Sequence, residues 1–268
     1  FFFKQKTAYE IYQCDWSSDV CSSDLLAGAA FIAGAMNSAA GGGSFVSFPA
    51  LVFTGVPSVT ANVTSTVALF PGAVAGSWAY RKDFHDIEGV SVWALLPVCL
   101  AGGVAGALLL LLTPVRTFDF VVPWLLLLGT TVFAAGPRAA TLLRRYVTIG
   151  KPALFVAQFI LAVYGGYFGG AVGLMTLATW SLFGATDIKA MNAAKTLLVG
   201  SMNSVAIALF VVAGKVWWPQ AILMAFAAAA GGYVGARVAR AIAPTRIRLF
   251  INGVNVTMTA IFFIRAFG

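Results

Sequence analysis

Gly102-Gly103-Val104-Ala105-Gly106-Ala107 returns 129 residues later as Gly231-Gly232-Tyr233-Val234-Gly235-Ala236, each copy set deep in apolar sequence. The register persists on either side with a slip of one residue. Asn62 and Asn192, Thr66 and Thr196, and Pro114-Val115-Arg116 and Pro244-Thr245-Arg246 are each 130 apart. An ordered series of matches across about half the chain marks two copies of one supersecondary unit, the build of many secondary transporters.

Composition places those copies in lipid. Hydrophobic residues make up 60% of the 268 and charged residues 10%, against about 45–50% and about 25% in soluble domains; the mean hydropathy is +0.90. Leu25 to Tyr80 is 56 residues without an Asp, Glu, Lys or Arg, and roughly 20 apolar residues cross a bilayer, so this run holds at least two spans. Phe1 to Asp24 differs. It mixes Lys4, Lys6, Glu10, Asp15, Asp19 and Asp24 with aromatics and shows no sustained period. It resembles translated read-through of a sequencing adapter, with a natural polar N-terminal tail as the alternative, and is left out of the fold reading as a non-native leader. Doing so removes two of 17 basic and four of 9 acidic residues and raises the net charge from +8 to +10. In a membrane chain such an excess belongs in cytoplasmic loops facing anionic lipid, so lipid is an expected partner and nucleic acid is not. Beyond the leader, Cys99 stands alone in an apolar run, which excludes a disulfide frame or a cysteine metal pair.

Gly and Pro punctuate helices, and they divide the chain into an all-α bundle. Residues 25–135 form a first membrane repeat, 136–151 a basic connector and 152–268 a second repeat. The reading is about eight spans as two four-span repeats, with the first span of each broken at a glycine-rich stretch. The first break is Asn37 to Ser44, around Gly41-Gly42-Gly43. The second is Gly165-Gly166-Tyr167-Phe168-Gly169-Gly170-Ala171-Val172-Gly173. Four crossings per copy make the halves parallel; a re-entrant break makes the count odd and inverts them. Both arrangements stay open at this level. In the eight-span arrangement eight basic residues fall on the side of the central connector and six on the other, which favours a cytoplasmic connector in a multi-pass protein of the cell's inner membrane.

Unwound backbone at membrane depth is tolerated only where it meets protein or a wet cavity. The paired breaks therefore suggest a chamber. Half-helix N-termini there present free amides and partial positive charge, which suits an anion; close helix packing at the glycines is the competing explanation. The candidate substrate-binding residues are Asn37, Gly41, Gly42, Gly43, Ser44, Asn62, Thr64, Ser65, Gly169, Gly170, Gly173, Asn192, Lys195 and Asn203. Asn62 and Asn192 hold equivalent places and are candidates to face each other across a pseudo-axis. Lys195 is the ionisable residue set inside an apolar stretch, and charge at such depth points to function. Gly102 with Gly106 and Gly231 with Gly235 are small-residue pairs four apart, expected to pack helices within one chain.

The absences narrow the chemistry. Asp83, Asp86, Glu88, Asp119 and Asp187 all fall at span ends or in loops, leaving no buried carboxylate for a metal pump or a carboxylate-based proton antiporter. No nucleophile, base and orienter set occurs, and no phosphate loop ends in Lys-Ser or Lys-Thr. Neither catalytic residues, nor a metal, nor a cofactor is expected, so an enzyme is not. The candidate functions are an anion transporter, a membrane scaffold or assembly protein, and a passive anion channel; the channel is disfavoured by the lack of a charged pore ring.

The chain resembles the TauE/SafE sulfite exporter family of membrane permeases from about residue 26 to its end. The resemblance rests on Gly34-Ala35-Met36-Asn37-Ser38-Ala39-Ala40-Gly41-Gly42-Gly43-Ser44, Phe48-Pro49-Ala50-Leu51, Ala61-Asn62-Val63-Thr64, Pro71-Gly72, Tyr80-Arg81, Pro123-Trp124-Leu125, Asn192-Ala193-Ala194-Lys195 and Gly231-Gly232-Tyr233-Val234-Gly235-Ala236-Arg237. It implies eight-span transporters that move sulfite, sulfonates or related small organic anions, often outward. The second break, Gly169-Gly170-Ala171-Val172-Gly173, is less glycine-dense than Gly41-Gly42-Gly43, and the resemblance supports an anion-binding role there less well.

Overall fold

The computed structural model describes residues 16–39, 42–79, 85–143, 150–241 and 244–267. Among them are ten helices: α1 (Trp16–Ala39), α2 (Ser44–Phe53), α3 (Ser58–Ala79), α4 (Val92–Leu112), α5 (Val115–Leu143), α6 (Lys151–Tyr167), α7 (Val172–Phe183), α8 (Ile188–Val212), α9 (Trp218–Ala241) and α10 (Pro244–Phe267). No strand accompanies them among the described residues, only an isolated bridge between Ile87 and Val90. Stretches of α4, α5, α8 and α10 are long and apolar enough to cross a membrane: Val92–Leu112, Val115–Gly136, Ala190–Val212 and Leu249–Phe267. Helix α1 begins inside the stretch set aside as a leader, and α5 runs on to Leu143, into the stretch read as a connector. Ala139, Ala140, Leu142 and Leu143 favour helix strongly enough to carry α5 onward.

The bundle is apolar outside and carries its polar groups within. Trp93, Leu112, Trp124, Phe226 and Leu249 are exposed, whereas Ser47, Asn62, Thr64, Ser65, Thr130, Gln158, Asn255 and Thr259 are buried. Lipid tails are as apolar as leucine, so such helices associate through close packing and interhelical hydrogen bonds. The glycine pairs supply the close packing. A Cβ on Gly231 would collide with the Phe31 carbonyl and one on Gly235 with Ala35; a Cβ on Gly102 would collide with Ala162 and one on Gly106 with the Val163 carbonyl. The pairs thus join α9 to α1 and α4 to α6 within one chain, each time as parallel helices.

Both interruptions are reversals of direction. Gly43 lies against the Ala33 carbonyl, ten positions back on α1, and its N–H donates to Asn37 Oδ1 (2.8 Å). Helix α2 therefore runs back beside α1. The hydroxyls of Ser47 and Ser65 meet at 2.7 Å, which pairs α2 with α3 as the next antiparallel turn. In the second half a Cβ on Gly165 would lie 3.2 Å from Val172 Cγ2, and Trp180 Nε1 donates to Gln158 Oε1 at 3.2 Å, so α7 folds back along α6. The Gln158 amide also donates to Cys99 Sγ (3.3 Å), drawing α4 into the same buried ladder. At 1.5 Å per residue, α2 and α7 reach only about 15 and 18 Å, roughly half a bilayer.

Helices α5 and α10 lie antiparallel. Phe120 meets Phe267 with ring centroids 5.3 Å apart, Trp124 meets Phe263 at 5.2 Å, and the hydroxyls of Thr130 and Thr259 are 2.9 Å apart. Elsewhere α3 packs on α8 and α9, α4 on α8, α5 on α7 and α10 on α2. Exchanging α1–α5 with α6–α10 reproduces this set of neighbours.

Candidate functional site

The two reversals open into one cavity of about 780 Å³. Around the first, Asn37 and Ser38 end α1 while Gly42 and Ser44 begin α2; around the second, Gly169, Ala171, Val172 and Gly173 lead into α7. The walls come from Thr66 and Leu69 of α3, Asn192, Lys195, Thr196, Val199 and Asn203 of α8, and Phe133 of α5. Gly34, Ala228 and Gly232 line it where α1 meets α9, and their small size leaves the space open.

Among the described residues that line the cavity, Lys195 is the only ionisable one. Its ammonium donates to Asn192 Oδ1 at 2.9 Å, one turn back on α8. Its stem passes over the start of α7, and a Cβ on Gly173 would lie 3.2 Å from Lys195 Cδ. Gly173 thus gives the lysine room to reach the N-terminus of α7. That terminus carries no acidic residue in its first turn and no side-chain cap. The first amides of a helix have no partner within it and carry partial positive charge. Ala171, the residue before α7, sits at φ 59°, a left-handed conformation uncommon outside glycine, and Gly169 is at φ 77°. Backbone of this kind turns successive N–H groups toward a common point and forms anion-binding concavities. The ammonium and the helix terminus present positive charge to the same space.

Of the residues singled out from the sequence, Asn37, Gly42, Ser44, Gly169, Gly173, Asn192, Lys195 and Asn203 line the cavity. Gly41 lies outside the described residues. The others stand behind the wall. Asn62 donates to the Tyr167 carbonyl (3.0 Å) and fixes the end of α6; its amide turns toward α6 while Asn192 turns to Lys195, so the equivalent asparagines do not pair. Thr64 Oγ1 accepts the Trp217 N–H at 3.2 Å, Ser65 pairs with Ser47, and a Cβ on Gly170 would press on the rings of Phe168 and Phe45. Gly43 is buried, its N–H held by Asn37. Ser38, Thr66 and Thr196 also reach the cavity, with their hydroxyls donating to the carbonyls of Ala35, Asn62 and Asn192. The matched spacing of Thr66 and Thr196 signals their shared place; no sequence pattern signals Phe133 or Val199.

The comparisons with known proteins agree in kind. The family described as "Sulfite exporter TauE/SafE" matches residues 26–262. The chain is similar to a "Probable membrane transporter protein" of Haemophilus influenzae, 30% identical over 239 residues, covering 86% of this chain and 90% of that protein. A Sinorhizobium "Probable membrane transporter protein ORF9" is 30% identical over 219 residues, with 80% and 81% covered. The Escherichia coli K12 "Probable membrane transporter protein YfcA" is 28% identical over 244 residues, with 89% and 90% covered. No solved structure gives a significant match.

Proposed function

Because the chain belongs to the sulfite exporter TauE/SafE family, we propose that it is a secondary permease carrying a small anion, such as sulfite, a sulfonate or a related organic acid, across the inner membrane. The observation that carries this reading is the single cavity shared by both reversals, with Lys195 the only ionisable residue among the described ones that line it. An anion seated there meets the Lys195 ammonium and the N-terminus of α7; Asn37, Asn192 and Asn203 supply neutral polar groups around it. On this reading the second reversal is the stronger anion site although its glycines are less densely spaced, because it has the lysine.

The helices read as two inverted copies, α1–α5 and α6–α10. Each opens with a hairpin whose tip meets the cavity and continues with three long helices. The exchange symmetry of the neighbours and the antiparallel meeting of Thr130 with Thr259, 129 residues apart, support this. So does charge. Following the reversals, and among the described residues, Arg138, Lys151, Lys189, Arg237, Arg240, Arg246 and Arg248 belong to helix ends on one side, and Arg116, Lys215 and Arg265 to the other. Seven against three is a positive-inside bias, whereas the arrangement with straight-through breaks divides the same residues four to six. The α5–α6 join is then cytoplasmic.

Flux of labelled sulfite in sealed proteoliposomes tests the proposal. Wild type is expected to give saturable, gradient-dependent flux and Lys195→Gln to lose it. Equal flux from both proteins removes the site assignment, and flux that never saturates favours a channel.

A further inference from the structure

Asn255 of α10 is fully buried, and neither its Oδ1 nor its Nδ2 has a hydrogen-bond partner. One turn earlier on the same helix, the Oδ1 of Asn252 is also buried and unpartnered. Orphaned amides inside a lipid-embedded bundle are costly, so their retention calls for a partner. The geometry indicates where it binds. The Asn255 amide lies 4.0 Å from the point a Cβ on Gly42 would occupy, so it faces the first reversal from behind the cavity, and a half-turn of that amide presents oxygen in place of nitrogen. Thr130 and Thr259 direct their hydroxyls to the Asn255 carbonyl (3.4 and 2.7 Å). The C-terminus of α1 ends close by: Met36, in its last turn, packs with Ile251 and Phe133, and that last turn holds no basic residue. The last carbonyls of a helix lack intrahelical partners and carry partial negative charge.

Repeat packing does not require these amides. At the 130-residue offset that aligns Pro114 with Pro244, the first copy has Val122 and Leu125 where the second has Asn252 and Asn255, and Val122 is fully buried. A niche of neutral oxygens at the negative end of a broken helix suits a monovalent cation. Divalent ions favour carboxylates, a proton needs a titratable group, and secondary transporters use half-helix C-termini and unwound carbonyls for sodium.

We propose that the niche between the end of α1, Gly42 and Asn252 and Asn255 of α10 binds a sodium ion, and that its occupancy is coupled to that of the anion cavity, which Gly42 also lines. The coupling rests on the anion reading above; the sodium site does not. The test is thermal unfolding of the purified protein without substrate anion, titrating sodium chloride against choline chloride at constant ionic strength. A ligand that binds only the folded protein raises its melting temperature. Wild type is expected to show a saturable rise with sodium and a much smaller one with potassium. Asn255→Leu, which installs the first copy's residue, is expected to fold and to lose the rise, and Asn252→Leu gives a second reading of the same loss. Equal responses to sodium, potassium and choline, or a full sodium rise in both variants, overturn the site. Lys195→Gln is expected to keep the sodium response, so failure of the anion site and failure of the cation site are distinguishable. Sulfite binding by wild type that is the same with and without sodium overturns the coupling.

Discussion

Two residues prominent in the sequence separate once their contacts are known. Lys195 stands out as a charge in an apolar run, and the fold places it in the cavity wall against the start of α7. Asn62 stands out equally, as one half of a repeated pair, yet its amide is spent on the Tyr167 carbonyl 105 residues away. Spacing shows which positions are equivalent; it does not show which partner each has found. Asn62→Ala leaves that carbonyl unpaired in a buried setting and is expected to cost about 1–3 kcal/mol, seen as a lower melting temperature with anion affinity unchanged. Gly173→Val acts in the opposite sense. A branched side chain there displaces the Lys195 stem, so anion affinity falls while the melting temperature changes little; an unchanged affinity would show that the lysine does not need this approach.

At the scale of the element, the glycine clusters are legible as interruptions, but the reversal they permit is not. A straight break and a hairpin tip use the same residues, and only the contacts of Gly43 with Ala33 and of Trp180 with Gln158 decide between them. The glycine pairs are more transparent, because four-residue spacing puts both members on one helix face. Gly231→Leu is expected to force α9 off α1, since its Cβ would strike the Phe31 carbonyl, and overpacking of this kind costs about 1–3 kcal/mol or more. Gly253 is the control: a Cβ there meets nothing within 4 Å, so Gly253→Ala in α10 is expected to stabilise the helix by up to about 1 kcal/mol. Thermal unfolding of the two variants checks both signs.

For the whole molecule, the proposed duplication rests on a register read from the sequence, whereas the proposed relation between the copies rests on contacts that span the molecule, above all Thr130 with Thr259. Single cysteines at Gly55 and Gly184, in a background without native cysteines, test that relation through labelling by a membrane-impermeant maleimide in oriented vesicles. The two positions follow α2 and α7, so inverted copies place them on opposite sides and parallel copies on the same side. Substrate identity is the least legible property, because the proposed site's lysine, helix terminus and three asparagines suit a small anion without choosing among sulfite, sulfonates and carboxylates. The most direct measurement is calorimetric binding of sulfite, sulfoacetate and simple carboxylates to purified wild type, Lys195→Gln and Asn62→Ala. Wild type and Asn62→Ala are expected to bind at least one of these anions with equal affinity and Lys195→Gln to bind it at least about tenfold more weakly, as the loss of a charge-assisted contact implies; a Lys195→Gln protein that binds as tightly as wild type would contradict the account.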